Sequence, residues 1–383
     1  MHVLTGGRVA DVDGTREADV AIEDGEIVAV GGVGRGTERT DVSGKVVAPG
    51  LIDSHVHLMM DGRADVSTAV DESDFTASYR ATEHLREAVE AGVTGVRDLG
   101  ARNTLAIDAR DAVEEGTLVG PRVAACGRNV IMTGGHGNWF GREADGPDEV
   151  RKAAREQLKA GADVLKTMAT GGVLTEGAVT GAPEFTPAEL EAFTDVAVPT
   201  DTPTAAHAHG EVGIKNAVRA GITSVEHGTF MDREAAELMA ESGTYWVPTA
   251  SALHGIVDNG VESGIPEDAV RKAEDAADRF EAAWEHALDA GVTIAMGTDA
   301  GTPFNYFSDI PQEMEYMVEY GLTPAEALEA ATVTAAELVG FENVGRVTKG
   351  YRADLVVLED DPNENASAWR DPEAVFTGGD QVV

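Results

Sequence analysis

A chain of 383 residues is too long for one small domain and fits a large domain plus a minor one. It carries a single cysteine, Cys126, and no run of about 18 uninterrupted apolar residues, which excludes an intrachain disulfide, a cysteine-based metal cluster and a hydrophobic membrane span. The formal net charge of −39 argues against nucleic acid or an anionic membrane as a partner and leaves a small molecule.

Residues 1–49 alternate short β patterns with turns, and Asp13-Gly14 and Asp24-Gly25 are hairpin signals. Residues 345–347, 353–358 and 374–379 are strand-like in the same way. Two β-rich ends around a long middle predict a small β-sandwich domain composed of residues 1–49 and 345–383. Val46, Val47, Ala48, Leu51 and Ile52 read as a strand buried on both faces that leads into Asp53, His55 and His57. Strand patterns recur at residues 94–98, 122–126, 163–168, 204–207, 222–227, 245–249 and 292–299. Amphipathic helical stretches lie between them, and several end in Ala-Gly, a natural helix stop. Residues 50–344 thus make eight β-then-α units and predict an α/β fold, a (β/α)8 TIM barrel. Residues 197–203 depart from the rhythm: they lack the Ala-Gly ending and carry two prolines, so the next strand enters at an altered angle or the loop is recast.

Polar residues stand at the C-terminal ends of these strands, where barrel enzymes catalyse. His55 and His57 are two apart on a strand and point to one face, as a metal pair or as a plain histidine pair. Lys166 interrupts an apolar strand, His207 and His209 end the fifth, His227 the sixth and Asp299 the eighth. A lysine in a buried strand is costly unless neutralised or paired. It can snorkel, form a Schiff base, or add CO2 to become a carbamate, an anion with two oxygen donors. Among these five histidines and an aspartate the carbamate reading is the better one.

The pattern resembles the amidohydrolase superfamily. The resemblance rests on residues 50–57, 163–166, 207–210, 224–228, 297–300 and the tail piece 349–357. Residues 95–100, 132–137 and 166–172 are similar to the imidazolonepropionase-related branch, which includes two-metal Xaa-Pro dipeptidases and carboxypeptidases. The resemblance implies that His55, His57 and Asp299 hold one divalent metal, that His207 and His227 hold a second, and that N-carboxylated Lys166 and a hydroxide bridge them, with zinc the expected metal. It further implies that Asp299 moves a proton and that His136 contacts the substrate carbonyl. His209 faces the substrate or orients His207. Arg97 and Asp98 are expected as a structural ion pair. Tyr245 is a candidate substrate contact or a barrel filler, and Phe304, Tyr306 and Phe307 wall the pocket or pack their loop. The expected activity is metal-dependent hydrolysis of a carbon–nitrogen bond in a small substrate, such as an Xaa-Pro dipeptide or an N-acyl amino acid. The alternatives are a one-metal cyclic-amide hydrolase or deaminase and a non-catalytic relative. The family commonly forms homo-oligomers.

The amino terminus, Met1 to Arg8, lacks the basic start and apolar core of a signal peptide, and a cytoplasmic location is expected. The acids are spread over predicted helices (Glu83, Glu87, Glu90, Glu114, Glu115), and of 29 basic residues only seven are lysine. A dispersed acidic coat on a chain that is 43% hydrophobic reads as adaptation to molar salt, where self-repulsion is screened within about 3 Å. Molar KCl is therefore expected to raise the melting temperature above that in dilute buffer; an unchanged melting temperature contradicts the reading.

Overall fold

The computed structural model describes residues 1–33 and 38–383. Strands from both ends of the chain interleave. One sheet has the order Asp380–Gln381, Ala374–Thr377, Leu355–Leu358, Val46–Pro49, Arg8–Asp11, Gly14–Glu17. In it Leu355–Leu358 runs antiparallel to Val46–Pro49, which joins the tail to the N-terminal segment. A second sheet orders Glu26–Gly31, Asp19–Glu23, His2–Thr5 and Glu38–Asp41. The two share one apolar core that includes Leu4, Val20, Ile27, Val47, Leu355 and Phe376. Residues 345–347, expected as a strand, form bends instead, although Val347 is buried in that core.

The middle of the chain contains two all-parallel sheets. The first orders Arg122–Ala125, Val93–Asp98, Leu51–Val56. The second orders Arg142–Glu143, Val130–Ile131, Leu165–Met168, Thr204–Gly210, Ser224–Phe230, Tyr245–Val247. Backbone bonds link the sheets at both margins. Asp163 N donates to Ala125 O at 2.8 Å on one side. On the other, residues 293–300 bridge the gap: Trp246 N donates to Thr293 O (2.9 Å), Ser54 N to Met296 O (2.9 Å) and Asp299 N to His55 O (2.7 Å). The expected eighth strand at 292–299 is thus an irregular segment with only isolated bridges, Ile294 to Trp246 and Ala300 to Val56. Asp299 has φ 62°, and a left-handed residue breaks the pleat that a ladder needs.

Helices cross between the strands, among them Asp74–Glu90, Pro147–Ala160, Arg233–Ser242 and Glu267–Ala290. The helix Pro187–Ala197 has no glycine after it. A 3-10 turn, Val198–Thr200, follows, and Asp201 takes the left-handed conformation (φ 52°). The loop is recast, and the strand after it keeps ordinary parallel register, Leu165 against Thr204.

The strand expected over Val46, Val47, Ala48, Leu51 and Ile52 is two. Val46–Pro49 belongs to the terminal sheet and Leu51–Val56 to the parallel one. Gly50 makes the change of sheet: its N–H goes to Asp354 O (3.0 Å), and Leu51 N goes to Gly92 O (3.1 Å). A Cβ on Gly50 would lie 2.2–2.7 Å from three atoms of Thr94, so only glycine fits. Gly50→Ala is expected to destabilise the protein by about 1–3 kcal/mol, the usual cost of overpacking. Chemical denaturation checks this, and a midpoint equal to wild type contradicts it.

Candidate metal centre

His55 ends the strand Leu51–Val56, His57 follows it, Lys166 lies in Leu165–Met168, His207 and His209 in Thr204–Gly210, and His227 in Ser224–Phe230. Because these strands run parallel, their polar residues meet at one edge. They line one cavity, which all six expected ligands share with His136 and His209. The Nε2 atoms of His55 and His57 approach the same Asp299 oxygen at 3.3 and 3.1 Å. His55, His57 and Asp299 place one ligand atom each within 4.8 Å of one another. Ring centroids are 4.6 Å apart for His207 and His227 and 5.1 Å for His55 and His227.

The residues present fit metal binding. His55 Nδ1 lies 2.9 Å from Glu226, and His57 Nδ1 lies 2.9 Å from Gly100 O. Both partners only accept, so both Nδ1 atoms carry the proton, and each ring in its neutral form turns its Nε2 lone pair to the cavity. His227 Nδ1 lies 2.7 Å from Thr249 Oγ1, whose own hydroxyl donates to Pro248 O at 2.7 Å. Thr249 is thereby an acceptor, and His227 Nε2 is also a free lone pair. Lys166 Nζ and His207 Nε2 are buried and have no hydrogen-bond partner among the described residues. Buried polar atoms left in this state are costly unless something fills the space between them.

A model of the Amidohydrolase family matches residues 46–382. The chain belongs to the amidohydrolase family. This amidohydrolase is 33% identical over 362 residues to ochratoxinase of Aspergillus niger, covering 86% of this chain and 73% of that protein. It is 30% identical over 338 residues to imidazolonepropionase of Cutibacterium acnes, covering 84% of this chain and 77% of the other. Among solved structures it resembles an Xaa-Pro dipeptidase with methionine in its active site, with a TM-score of 0.93, 32% identity and 99% coverage of both chains. It is an enzyme of this family.

Burial sets the electrostatics of the amidohydrolase site. It pushes His55 and His209 down to about 4 and His136 to about 3, and it holds His207 and His227 well below the usual range, so these imidazoles are neutral. His57 goes the other way: burial opposes its charge, but Asp299, Asp98 and the Gly100 carbonyl outweigh burial and raise it. Burial also opposes the charge of Asp299, and His55, His57 and Lys166 outweigh it and hold the carboxylate below its ordinary value. Three non-glycine residues here are left-handed: His227 (φ 69°), Thr249 (φ 55°) and Asp299 (φ 62°). Such backbone strain gathers where side chains must be aimed.

Some expectations change. Tyr245 does not line the cavity. It pairs with Ser224 at the N-terminal start of its strand, the end opposite His227, and packs against Val247, Ala295 and Leu338. Arg97 and Asp98 are not a pair. Arg97 is fully buried and reaches Glu226 at 3.1 Å, whereas Asp98 accepts the backbone N–H groups of Leu58 (2.8 Å) and Gly100 (3.0 Å). Alternation explains this, since neighbours on a strand point to opposite faces. Phe304, Tyr306 and Phe307 do not line the cavity: Phe307 stacks on His84, Tyr306 covers Gly62, and Phe304 packs against the apolar cluster of Ile256 and Ile265. Glu226, which anchors both His55 and Arg97, had no assigned role; an acid inside a buried strand was the available signal. Asp53 ties strand to closing segment by accepting Thr298 Oγ1 (2.5 Å) and Thr298 N (3.1 Å).

Glu226→Gln leaves the Arg97 guanidinium buried without its counter-charge and is expected to cost about 3–5 kcal/mol. Burial alone would raise the Glu226 pKa, but Arg97, Lys166 and His55 bring it from 4.5 down to about 2. A carboxylate depressed in the fold stabilises fully above its unfolded pKa and loses that contribution as pH falls through its folded value. Wild type should therefore lose stability from about pH 4.5 to pH 2 more steeply than Glu226→Gln. Parallel acid-unfolding profiles contradict this.

Proposed function

We propose that this amidohydrolase cleaves an amide or peptide bond of a small substrate, of the Xaa-Pro dipeptide or N-acyl amino acid class, at a two-metal centre. Lys166 carries the reading. Its Nζ is buried with no hydrogen-bond partner among the described residues, and burial lowers its pKa to about 8. A neutral amine there can attack CO2, releasing a proton and forming a carbamate whose two oxygens suit two cations. His55, His57 and Asp299 would hold one ion, His207 and His227 the other, and carboxylated Lys166 would lie between them. Two divalent cations, zinc by preference for imidazole, supply Lewis acidity toward a carbonyl and lower the pKa of water when bound.

The chain's own residues do the rest. Asp299, held ionised by its histidines, accepts a proton from the attacking water and delivers it to the departing amine nitrogen. His136 faces the substrate carbonyl, and His209 stands beside it for a substrate carboxylate. Trp139, Phe140, Leu253, Ile256 and Phe280 give the cavity an apolar wall, and its only charged residues among those described are Lys166 and Asp299. An apolar wall without a counter-charge favours neutral, bulky substrates over arginine or lysine substrates. The similarity to ochratoxinase and to an Xaa-Pro dipeptidase supports the class of bond.

The linked parallel sheets support a closed (β/α)8 barrel over residues 50–344, with a composite β-sandwich of residues 1–49 and 345–383 beside it. The tight group of His55, His57 and Asp299 favours a second reading, a one-metal cyclic-amide hydrolase or deaminase. That site has no use for the buried amine of Lys166. In molar salt with zinc and bicarbonate, the proposal expects turnover of Xaa-Pro dipeptides or N-acyl amino acids with apolar side chains, faster than their arginine or lysine counterparts. Lys166→Met should lower kcat/KM by about 10³-fold or more, the scale of losing a transition-state stabiliser. Full activity of Lys166→Met favours the one-metal reading and overturns this one.

A further inference from the structure

We propose that Thr175 sets the tautomer of His136, keeping its proton on Nε2, and so makes this histidine a hydrogen-bond donor to substrate rather than a lone-pair ligand. A neutral imidazole carries one proton, and the partner of one nitrogen decides which nitrogen holds it. His136 Nδ1 lies 2.8 Å from Thr175 Oγ1. The same oxygen accepts the Gly137 N–H at 3.1 Å. One lone pair of the hydroxyl is thus taken, and among the described residues its proton has no acceptor other than His136 Nδ1. If His136 carried its proton on Nδ1, the buried hydroxyl proton would have no partner. If Thr175 donates to Nδ1, every group on that side is satisfied and an Nε2–H faces the cavity.

His227 shows the opposite wiring in the same cavity. Its threonine, Thr249, gives its proton to Pro248 O and can only accept, which leaves His227 Nε2 as a lone pair. Two threonine–histidine pairs thus assign opposite roles through where each hydroxyl proton goes.

The segment holding Thr175 is fixed. Lys272 Nζ, itself buried, donates to Thr175 O at 2.9 Å and pairs with Asp268 at 2.7 Å. His136 is held from behind, its N–H reaching both Glu184 oxygens at 2.9 and 3.0 Å. Gly172 lets the ring sit close, since a Cβ there would come within 2.5 Å of His136 Cε1 and Nε2. Thr175 is accordingly a positioning residue; its effect on turnover rests on the proposed hydrolytic site, whereas the tautomer does not.

The test is imidazole 15N NMR of the histidine-labelled, zinc-loaded enzyme, with the His136 signals assigned by their loss in His136→Gln. Wild type and Thr175→Ser should show His136 protonated on Nε2, and His227 should be protonated on Nδ1. Thr175→Val, which removes the donor at constant size, should show a mixture of His136 tautomers. It should also lower kcat about 10-fold or more with little change in KM, whereas Thr175→Ser keeps wild-type kcat. Nδ1 protonation of His136 in wild type, or an unchanged tautomer in Thr175→Val, overturns the inference. The expected tautomers without a change in kcat would sustain it and count instead against His136 as a donor in the proposed reaction.

Discussion

Everything at the cavity depends on the buried carboxylate of Glu226. It accepts from His55 at 2.9 Å and from Arg97 at 3.1 Å, and the Ser224 hydroxyl donates to it at 2.5 Å. Arg97 in turn donates to Ser54 O at 2.6 Å, so one charged pair ties three parallel strands together beneath the histidines. A charge buried this deep survives only when it is fully paired, and the pairing also determines which His55 nitrogen faces outward. Cohesion of the strands and aim of the first ligand are therefore one interaction.

The remaining imidazoles follow the same logic with weaker partners. A carbonyl fixes His57, and threonine hydroxyls hold His136, His209 and His227. Each fixed nitrogen directs the other into one cavity. Left-handed backbone at His227, Thr249 and Asp299 completes the aim at a cost in local stability, which the surrounding core sustains.

Much of this was legible in the sequence because parallel strands buried on both faces read as apolar runs, against which a lysine or a histidine pair stands out. Lys166, His207, His227 and Asp299 appeared in this way and do meet. The same uniformity made Val46–Pro49 and Leu51–Val56 read as one apolar run, although the two lie in different sheets. The two readings of Tyr245 could not be separated because its strand is only three residues long, and which end it occupies depends on pairing with Ser224 rather than on its own neighbours. The threonines that orient the histidines leave no sequence signal: a hydroxyl in a loop looks the same whether it accepts or donates. The eighth strand pattern gave no sign of the left-handed Asp299 that makes it irregular.

The most direct test of the two-metal account is a high-resolution crystal structure of the zinc-loaded enzyme with anomalous data. The account predicts two anomalous peaks in the cavity, one among His55, His57 and Asp299 and one between His207 and His227. Density for a carboxyl group on Lys166 Nζ should reach both. A single peak at the first position beside a bare lysine amine would contradict it.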